Sequence, residues 1–323
     1  MLINHIAPWQ IPEREATPED VFLNRRAFLA AGGAALALST MGFDAFAQEK
    51  DLSAGLYPAT RNEAYKITRP ITPEEINSRY NNFYEFGGTK NIHQAAQALK
   101  LRPWTVKIDG EVDKELELDI DTLMKKMGLE ERLYRHRCVE AWSMTIPWTG
   151  FPLKKLVELA NPKSTAKYLR METFHDAKIA PGQRPRFWGL WSYDWPYTEG
   201  LTMAEATNDL AFLVTGAYGK PMAKQFGAPL RLAIPWKYGF KSAKSLVRFS
   251  FVRERPKTFW NIAAPREYGF WANVNPQVPH PRWSQATERV LGKQGRIPTK
   301  LFNGYGEQVA EIYKDIKGEK LYM

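Results

Sequence analysis

A mixed α+β fold built on largely antiparallel sheet is what this sequence predicts, and three observations carry it. Its apolar runs are short and alternate with polar residues, as half-buried strands do. Only two brief stretches beyond residue 50 have helical periodicity. Turn formers punctuate the chain, with 22 Gly and 22 Pro among 323 residues. Neither GxGxxG behind a strand nor GxxxxGK[ST] occurs, which argues against the doubly wound nucleotide folds.

In order, residues 48–75 are polar and hold Pro58, Pro70 and Pro73, the composition of an extended arm. Trp104-Thr105-Val106-Lys107-Ile108-Asp109-Gly110 alternates apolar with polar and ends in a turn dipeptide, which makes it a strand. Thr122–Met127 suits a short helix. Arg132–Val139 reads as a strand, and Pro152–Leu159 as an amphipathic helix with proline near its start. Tyr168–Phe174, Phe212–Thr215 and Leu230–Pro235 are further strands. Val247, Phe249 and Phe251 alternate with Arg248 and Ser250, again the pattern of a half-buried strand. Together these elements are expected to form one domain over residues 48–323.

The first 47 residues read as an address. Asn24-Arg25-Arg26-Ala27-Phe28-Leu29 has the paired arginines of a twin-arginine signal. A weakly apolar stretch, Ala30–Met41, and the small residues of Ala45-Phe46-Ala47 follow it. The apolar stretch is short for a membrane span; the competing reading is an amphipathic or buried helix. Residues 1–47 are therefore expected to be a signal peptide read by the twin-arginine export machinery, leaving a soluble periplasmic protein. That route carries folded proteins, and a common reason to fold first is a cofactor inserted in the cytoplasm.

Composition narrows the function classes. Hydrophobic residues make up 44% and charged residues 25%, an ordinary globular balance. The net charge is +10, but Lys and Arg are scattered without a run, so no nucleic-acid partner is expected. Eleven Trp suit a core or a substrate cleft equally. The single cysteine excludes an internal disulfide, a cysteine-built iron–sulfur cluster and covalent haem.

The densest chemistry lies in Tyr134-Arg135-His136-Arg137-Cys138-Val139-Glu140-Ala141-Trp142-Ser143-Met144. A lone cysteine is more often an inert small hydrophobe. Here Arg132, Arg135 and Arg137 lie close in sequence, and cations lower a thiol pKa toward the thiolate. On a strand, His136, Cys138 and Glu140 share one face and Arg135, Arg137 and Val139 the other. Three uses of such a thiol stay open: nucleophilic catalysis with His136 or His175 as base, a zinc site, or a soft ligand to a metal inside a larger cofactor.

A resemblance separates them. The string Arg-x-Arg-Cys-Val-Glu-x-Trp-Ser-Met and then Pro147-Trp148-x-Gly150-Phe151-Pro152-Leu153 resembles the molybdenum-binding segment of the sulfite-oxidase superfamily. It is most similar there to the catalytic subunits of periplasmic methionine-sulfoxide reductases. The likeness continues in Asn81-Asn82-Phe83-Tyr84-Glu85-Phe86, in Gly227-Ala228-Pro229-Leu230-Arg231-Leu232 and in Pro235-Trp236-Lys237-Tyr238-Gly239-Phe240-Lys241. It returns in Glu267-Tyr268-Gly269-Phe270-x-Ala272-Asn273-Val274-Asn275-Pro276 and in His280-Pro281-Arg282-Trp283-Ser284-Gln285-Ala286-Thr287-Glu288. It spans about residues 60–290 with its motifs in order.

The resemblance implies a sulfite-oxidase-like fold and a molybdenum–molybdopterin cofactor. It places the metal ligand at Cys138 and the pterin contacts at Asn81, Tyr84, Glu85, Thr173, Arg231, Ser242, Ala243 and Lys244. Asn and Thr suit hydrogen bonds to a heterocycle, and Arg231 and Lys244 suit its phosphate. Taken singly, Asn81 and Thr173 have turn or cap roles as the plainer reading, and Arg231 an ordinary strand charge. Phe226 stands where the family has Asn, and Ser242 where it has Gly. Glu140 is expected to tune proton supply at the metal. The aromatic stretch Trp191-Ser192-Tyr193-Asp194-Trp195-Pro196-Tyr197 suits either a thioether-binding cleft or core packing. The implied activity is reduction of methionine sulfoxide, with a haem-b membrane subunit as electron donor and oxidised periplasmic proteins as substrates. The alternatives are a sulfite-oxidising relative, a cysteine-dependent hydrolase, and a non-enzymatic binding protein.

Overall fold

The structure, a computed structural model, describes residues 53–185 and 193–322. The expected signal peptide over residues 1–47 lies outside the described residues, as do Trp191 and Ser192.

In chain order the first six strands are β1 (Thr105–Gly110), β2 (Leu116–Asp119), β3 (Glu130–Arg137), β4 (Trp142–Pro152), β5 (Tyr168–Thr173) and β6 (Thr198–Thr202). The rest are β7 (Phe212–Ala217), β8 (Lys220–Pro221), β9 (Arg231–Ala233), β10 (Leu246–Val252), β11 (Thr287–Val290) and β12 (Ile297–Pro298). One sheet runs β2-β1-β10-β5-β6 and the other β12-β11-β4-β7-β8, with β3 paired to β4 and β9 to β7. Pairings are antiparallel except β1 with β10 and β11 with β4. The expected mixed α+β, largely antiparallel class is the one observed, and residues of both sheets belong to one buried core.

The helices are short: α1 (Glu74–Asn77), α2 (Ile120–Met127), α3 (Leu153–Ala160), α4 (Met203–Ala206), α5 (Phe259–Ala263) and α6 (Gly306–Tyr313). α2 begins two residues before the sequence pattern suggests, because the Asp119 carboxylate caps it by accepting from Asp121 N and Thr122 N. α3 starts after Pro152 and ends at left-handed Asn161. It buries Leu153, Leu156 and Val157, each side chain stabilising by about 1.5–3 kcal/mol.

Two differences from the sequence reading concern the centre of the molecule. The strand expected over Arg132–Val139 stops at Arg137, so Cys138 lies in the loop beyond it. β4 was not expected, since every one of its residues is buried and no polar alternation marks it. It also holds Pro147. That proline is tolerated because its carbonyl accepts from Tyr218 N at 3.0 Å, on the edge away from β3, so its missing N–H removes no bond to that strand. Gly150 marks the register shift where β4 meets β7, and a Cβ there would come within 2.0 Å of Leu213 O.

Candidate active site

Cys138–Ala141 join β3 to β4. Cys138 N donates to Trp142 O at 2.9 Å, Ala141 N donates to Cys138 O at 3.1 Å, and Ala141 takes φ 61°. A turn followed by a left-handed residue is a known three-residue hairpin loop, with glycine usual at that last position. Alanine there costs about 1–2 kcal/mol, and neighbours fasten it. Arg289 N donates to Ala141 O at 3.0 Å, while Trp283 Nε1 and Gln285 Nε2 donate to Val139 O at 2.8 and 2.7 Å. The thiol is thus held from behind by residues 283–289.

A cleft enclosing about 790 Å³ opens beside it. The turn after α1 brings Asn81, Tyr84 and Glu85 to this cleft, and the β3–β4 loop brings Cys138 and Glu140. Arg231 enters from β9, and Ser242, Ala243 and Lys244 from the connection to β10. Thr173 is the exception among the expected residues. It is 1% exposed and stands behind the wall, its hydroxyl donating to Phe174 O at 3.5 Å and close enough to Glu85 to draw that carboxyl's pKa down. Asn81 Nδ2 donates to Asn77 O and Ser78 O at 3.1 and 3.2 Å, the cap role its residue type also allows. Phe226 is buried against Trp148 and Tyr218 and does not line the cleft.

Around the sulfur, Asn82 Nδ2 and Glu140 N each lie 3.5 Å from Sγ, and Glu140 Oε2 lies at 3.6 Å. Two N–H groups aimed at sulfur favour its anion. Burial and the adjacent carboxylate win nonetheless, pushing the Cys138 thiol up to about 12. The expectation that neighbouring arginines make it a thiolate is therefore corrected. Arg137 points to Glu288, Gln285 and Thr299; Arg135 packs over the Tyr305 ring; Arg132 lies over Tyr65 and Phe212. In these surroundings only a strongly positive centre bound at sulfur would hold it as an anion.

Glu140 is built in. Its Oε2 accepts from Lys90 Nζ at 2.5 Å, Trp142 Nε1 at 2.9 Å and Asn82 Nδ2 at 3.2 Å. Burial pulls its pKa up, but these donors outweigh it and hold the carboxyl below its ordinary value. The ion-pair reading and the site reading are thus both realised, with Lys90 rather than an arginine as partner.

Deeper in the cleft, buried Arg231 and half-buried Lys244 are cations without a carboxylate within 4 Å among the described residues. Arg231 reaches only backbone oxygens, chiefly Phe226 O at 2.7 Å. Burial lowers the pKa of both; the guanidinium stays charged regardless. Glu85 opposite is pushed up by burial and drawn down by Lys244. His136 faces the same space, held neutral by burial and by Arg231 and Lys244. It abuts Gly239, where a Cβ would come within 2.4 Å of Nε2. His175 is exposed and off the cleft. No histidine bonds the Cys138 sulfur among the described residues, so the cysteine–histidine pair a hydrolase needs is not formed.

Several lining residues were not singled out in advance. Asn82 and Trp142 lay within quoted strings but had no side-chain role assigned, and Lys90 and Trp260 had no local signal at all. Of the aromatic stretch, Tyr197 lines the inner cleft and Tyr193 the outer opening, packed on Phe259 and Trp260.

Residues 93–260 match the oxidoreductase molybdopterin binding domain family. The chain belongs to that family. It is a molybdopterin-dependent oxidoreductase, with molybdenum–molybdopterin as its cofactor. Among solved structures it is similar to the sulfane dehydrogenase SoxCD of Paracoccus pantotrophus, at 16% identity and a TM-score of 0.45. The match covers 69% of this chain and 53% of that one, so it spans about half the other chain's length.

The cleft of this molybdopterin enzyme fits such a cofactor on two counts. A cysteine sulfur at the cleft wall with two N–H groups aimed at it suits a soft metal. Two desolvated, unpaired cations suit a phosphate.

Proposed function

We propose that this enzyme reduces methionine sulfoxide, free and within proteins, and so repairs oxidised proteins in the periplasm. One observation carries the choice of substrate. The wall around Cys138 is a carboxylate and a set of rings, with Glu140 3.6 Å from Sγ and Tyr84, Trp142, Trp260 and Tyr268 about the opening. Lys90, the cation beside Glu140, is taken by it, and the unpaired Arg289 and Arg296 line the outer opening rather than the wall at the sulfur. A neutral sulfoxide with an apolar stem suits such a wall, since sulfur packs well against rings. Sulfite, a dianion, requires converging free cations there, which is why the sulfite-oxidising reading ranks second.

In this reading Cys138 is the metal ligand, and Arg231 and Lys244 neutralise the cofactor phosphate. Asn81, Tyr84, Glu85, Ser242 and Ala243 hold the pterin, with Thr173 bracing Glu85 from behind. The bound cofactor supplies two-electron oxygen-atom transfer. Tyr84 packs edge to face on Trp260 at 4.8 Å, and Trp260 packs tilted on Tyr268 at 5.1 Å. They grip the thioether stem and keep water out. Glu140, kept charged by Lys90, Trp142 and Asn82, would orient the proton supply toward the sulfoxide oxygen. Each turnover takes two electrons and two protons and yields thioether and water.

The single cysteine leaves no thiol for a cluster of the chain's own, so electrons come from a partner, and the resemblance to the methionine-sulfoxide reductases makes that partner a haem-b membrane subunit facing the same compartment. Export by the twin-arginine machinery places the folded enzyme there. The test uses the cofactor-loaded protein with a reduced viologen dye. Methionine sulfoxide should oxidise the dye at a rate set by enzyme concentration, and sulfite with an oxidised dye should give no comparable turnover. Efficient sulfite oxidation with inert sulfoxide reverses the assignment.

A further inference from the structure

Outside the thiol cleft lies a second, wider opening of about 840 Å³, continuous with it through Tyr80, Tyr84, Glu140, Trp142, Trp260 and Tyr268. That is near the top of the range of about 300–1,000 Å³ that takes a drug-sized ligand, and more room than a single free amino acid needs. Its charges are uneven. Lys90 is paired with Glu140, and Arg282 with Glu267 at 2.7 Å. Arg289 and Arg296, both exposed on the β11–β12 hairpin, have no carboxylate within 4 Å among the described residues. Both are aimed rather than loose. Arg289 donates to Tyr80 OH at 2.9 Å and lies over that ring, which packs edge-on against Trp142 at 5.1 Å. Arg296 donates to Thr287 Oγ1 and Thr287 O at 2.8 and 2.7 Å.

We propose that this vestibule binds an extended acidic polypeptide segment, with Arg289 and Arg296 engaging carboxylates that flank the methionine sulfoxide. This rests on the reading of the inner cleft as a sulfoxide site. Two uncompensated guanidinium groups beside a row of rings complement acidic side chains on a flexible chain. They also disfavour peptides whose flanks are lysine.

The experiment uses the loaded enzyme and three peptides carrying one methionine sulfoxide flanked by Glu, Gln or Lys. At low salt, kcat/KM should fall in that order, by roughly three- to tenfold per step, and the differences should shrink in high salt. In R289E/R296E the order should invert, with molybdenum content per chain reporting an intact fold. Arg289→Gln and Arg296→Gln should each flatten it about halfway should the double variant fail to fold. An order independent of flanking charge, or unchanged in these variants, overturns the proposal. If no sulfoxide is reduced at all, the inner-site reading fails, and the vestibule is judged by anisotropy with fluorescein-labelled peptides. Tighter binding of the acidic peptide supports it; equal binding overturns it. Polyphosphate competing as well as the acidic peptide at equal charge makes this a general anion face, which also overturns the assignment.

Discussion

Two regions of this molecule bury charge, and they handle it in opposite ways. Beneath α6, Lys237 meets Glu205 at 2.5 Å and Lys241 meets Glu199, all essentially inaccessible. The ammonium groups are fully engaged, while Glu199 Oε1 and Asn273 Nδ2 lack a partner. Lys237 also donates to Trp271 O at 2.6 Å and Asn273 Oδ1 at 2.9 Å, and Tyr313 OH donates to Glu205 at 2.7 Å. In the cleft, Arg231 and Lys244 have no such carboxylates, although Lys244 is only three residues from Lys241. A chain that satisfies one set of buried cations so fully, yet leaves the neighbouring set open, has reserved the second for an anion from outside. Complete internal pairing marks structure; incomplete pairing marks a binding site.

The largest effect expected from breaking this contrast is at the thiol. Cys138→Ser replaces the soft ligand by a hard, weakly acidic hydroxyl. Sulfoxide reduction should fall far beyond the ~10–100-fold that altering an outer partner of a metal site costs, with molybdenum content lost alongside. A serine variant that keeps metal and rate would remove Cys138 from the site.

Next comes the paired region. Lys241→Met leaves Glu199 buried and alone, and should destabilise by about 3–5 kcal/mol in urea unfolding. Adding Glu199→Leu should recover most of that loss, because the pair as a whole contributes little beyond its mutual compensation. A single variant as stable as wild type would show that the pair is not sealed from water.

How much of this was legible beforehand differs between the same two regions. The α+β class, strands β1, β5 and β10, and helices α2 and α3 follow from periodicity, because each has a wet face or a clear cap, while β7, buried throughout, shows only as a short apolar run. β4 does not, since both its faces are buried and no alternation survives. The cleft was legible through ordered motifs rather than spacing, and nine of its ten expected residues line it. What sequence misjudged was electrostatics. Arginines near Cys138 in the chain turn away from it, while Lys90, 48 positions earlier, reaches its neighbour Glu140. The Lys237–Glu205 and Lys241–Glu199 pairs join residues 32 and 42 positions apart, which no local pattern announces.

The open cations should behave in the reverse sense from the paired ones. In cofactor-free protein, Lys244→Met removes a half-buried charge that lacks an ion-pair partner, and should stabilise by roughly 1–2 kcal/mol. In the loaded enzyme the same change should weaken cofactor retention by about 10–100-fold. Linkage gives a further check. Burial and Arg231 hold the folded Lys244 pKa below its unfolded value, so the unfolded chain binds more protons. Cofactor-free wild type should therefore gain stability as pH rises from the lowered folded value toward about 10.4. The Lys244→Met protein should lack that gain, and equal slopes would mean the ammonium is solvated.

The smallest effect belongs to a third arrangement, paired but reached by water. Asp109 on β1 accepts from Arg248 Nε at 2.8 Å and Ser250 Oγ at 2.6 Å, and Lys107 stands 3.5 Å away. Burial raises its pKa, but these partners together hold it below the ordinary value of 3.8. A carboxyl lowered in the folded state contributes stability that is full above its unfolded pKa and is lost as pH falls through the folded one. Arg248 and Lys107 are each about two-fifths exposed, so the contribution is about 1 kcal/mol or less. Between pH 5 and pH 3 the melting temperature of wild type should drop slightly faster than that of Asp109→Asn, and added salt should close the difference. A steep, salt-insensitive drop would instead place Asp109 with the sealed pairs beneath α6, and water access would no longer separate the two classes of ion pair.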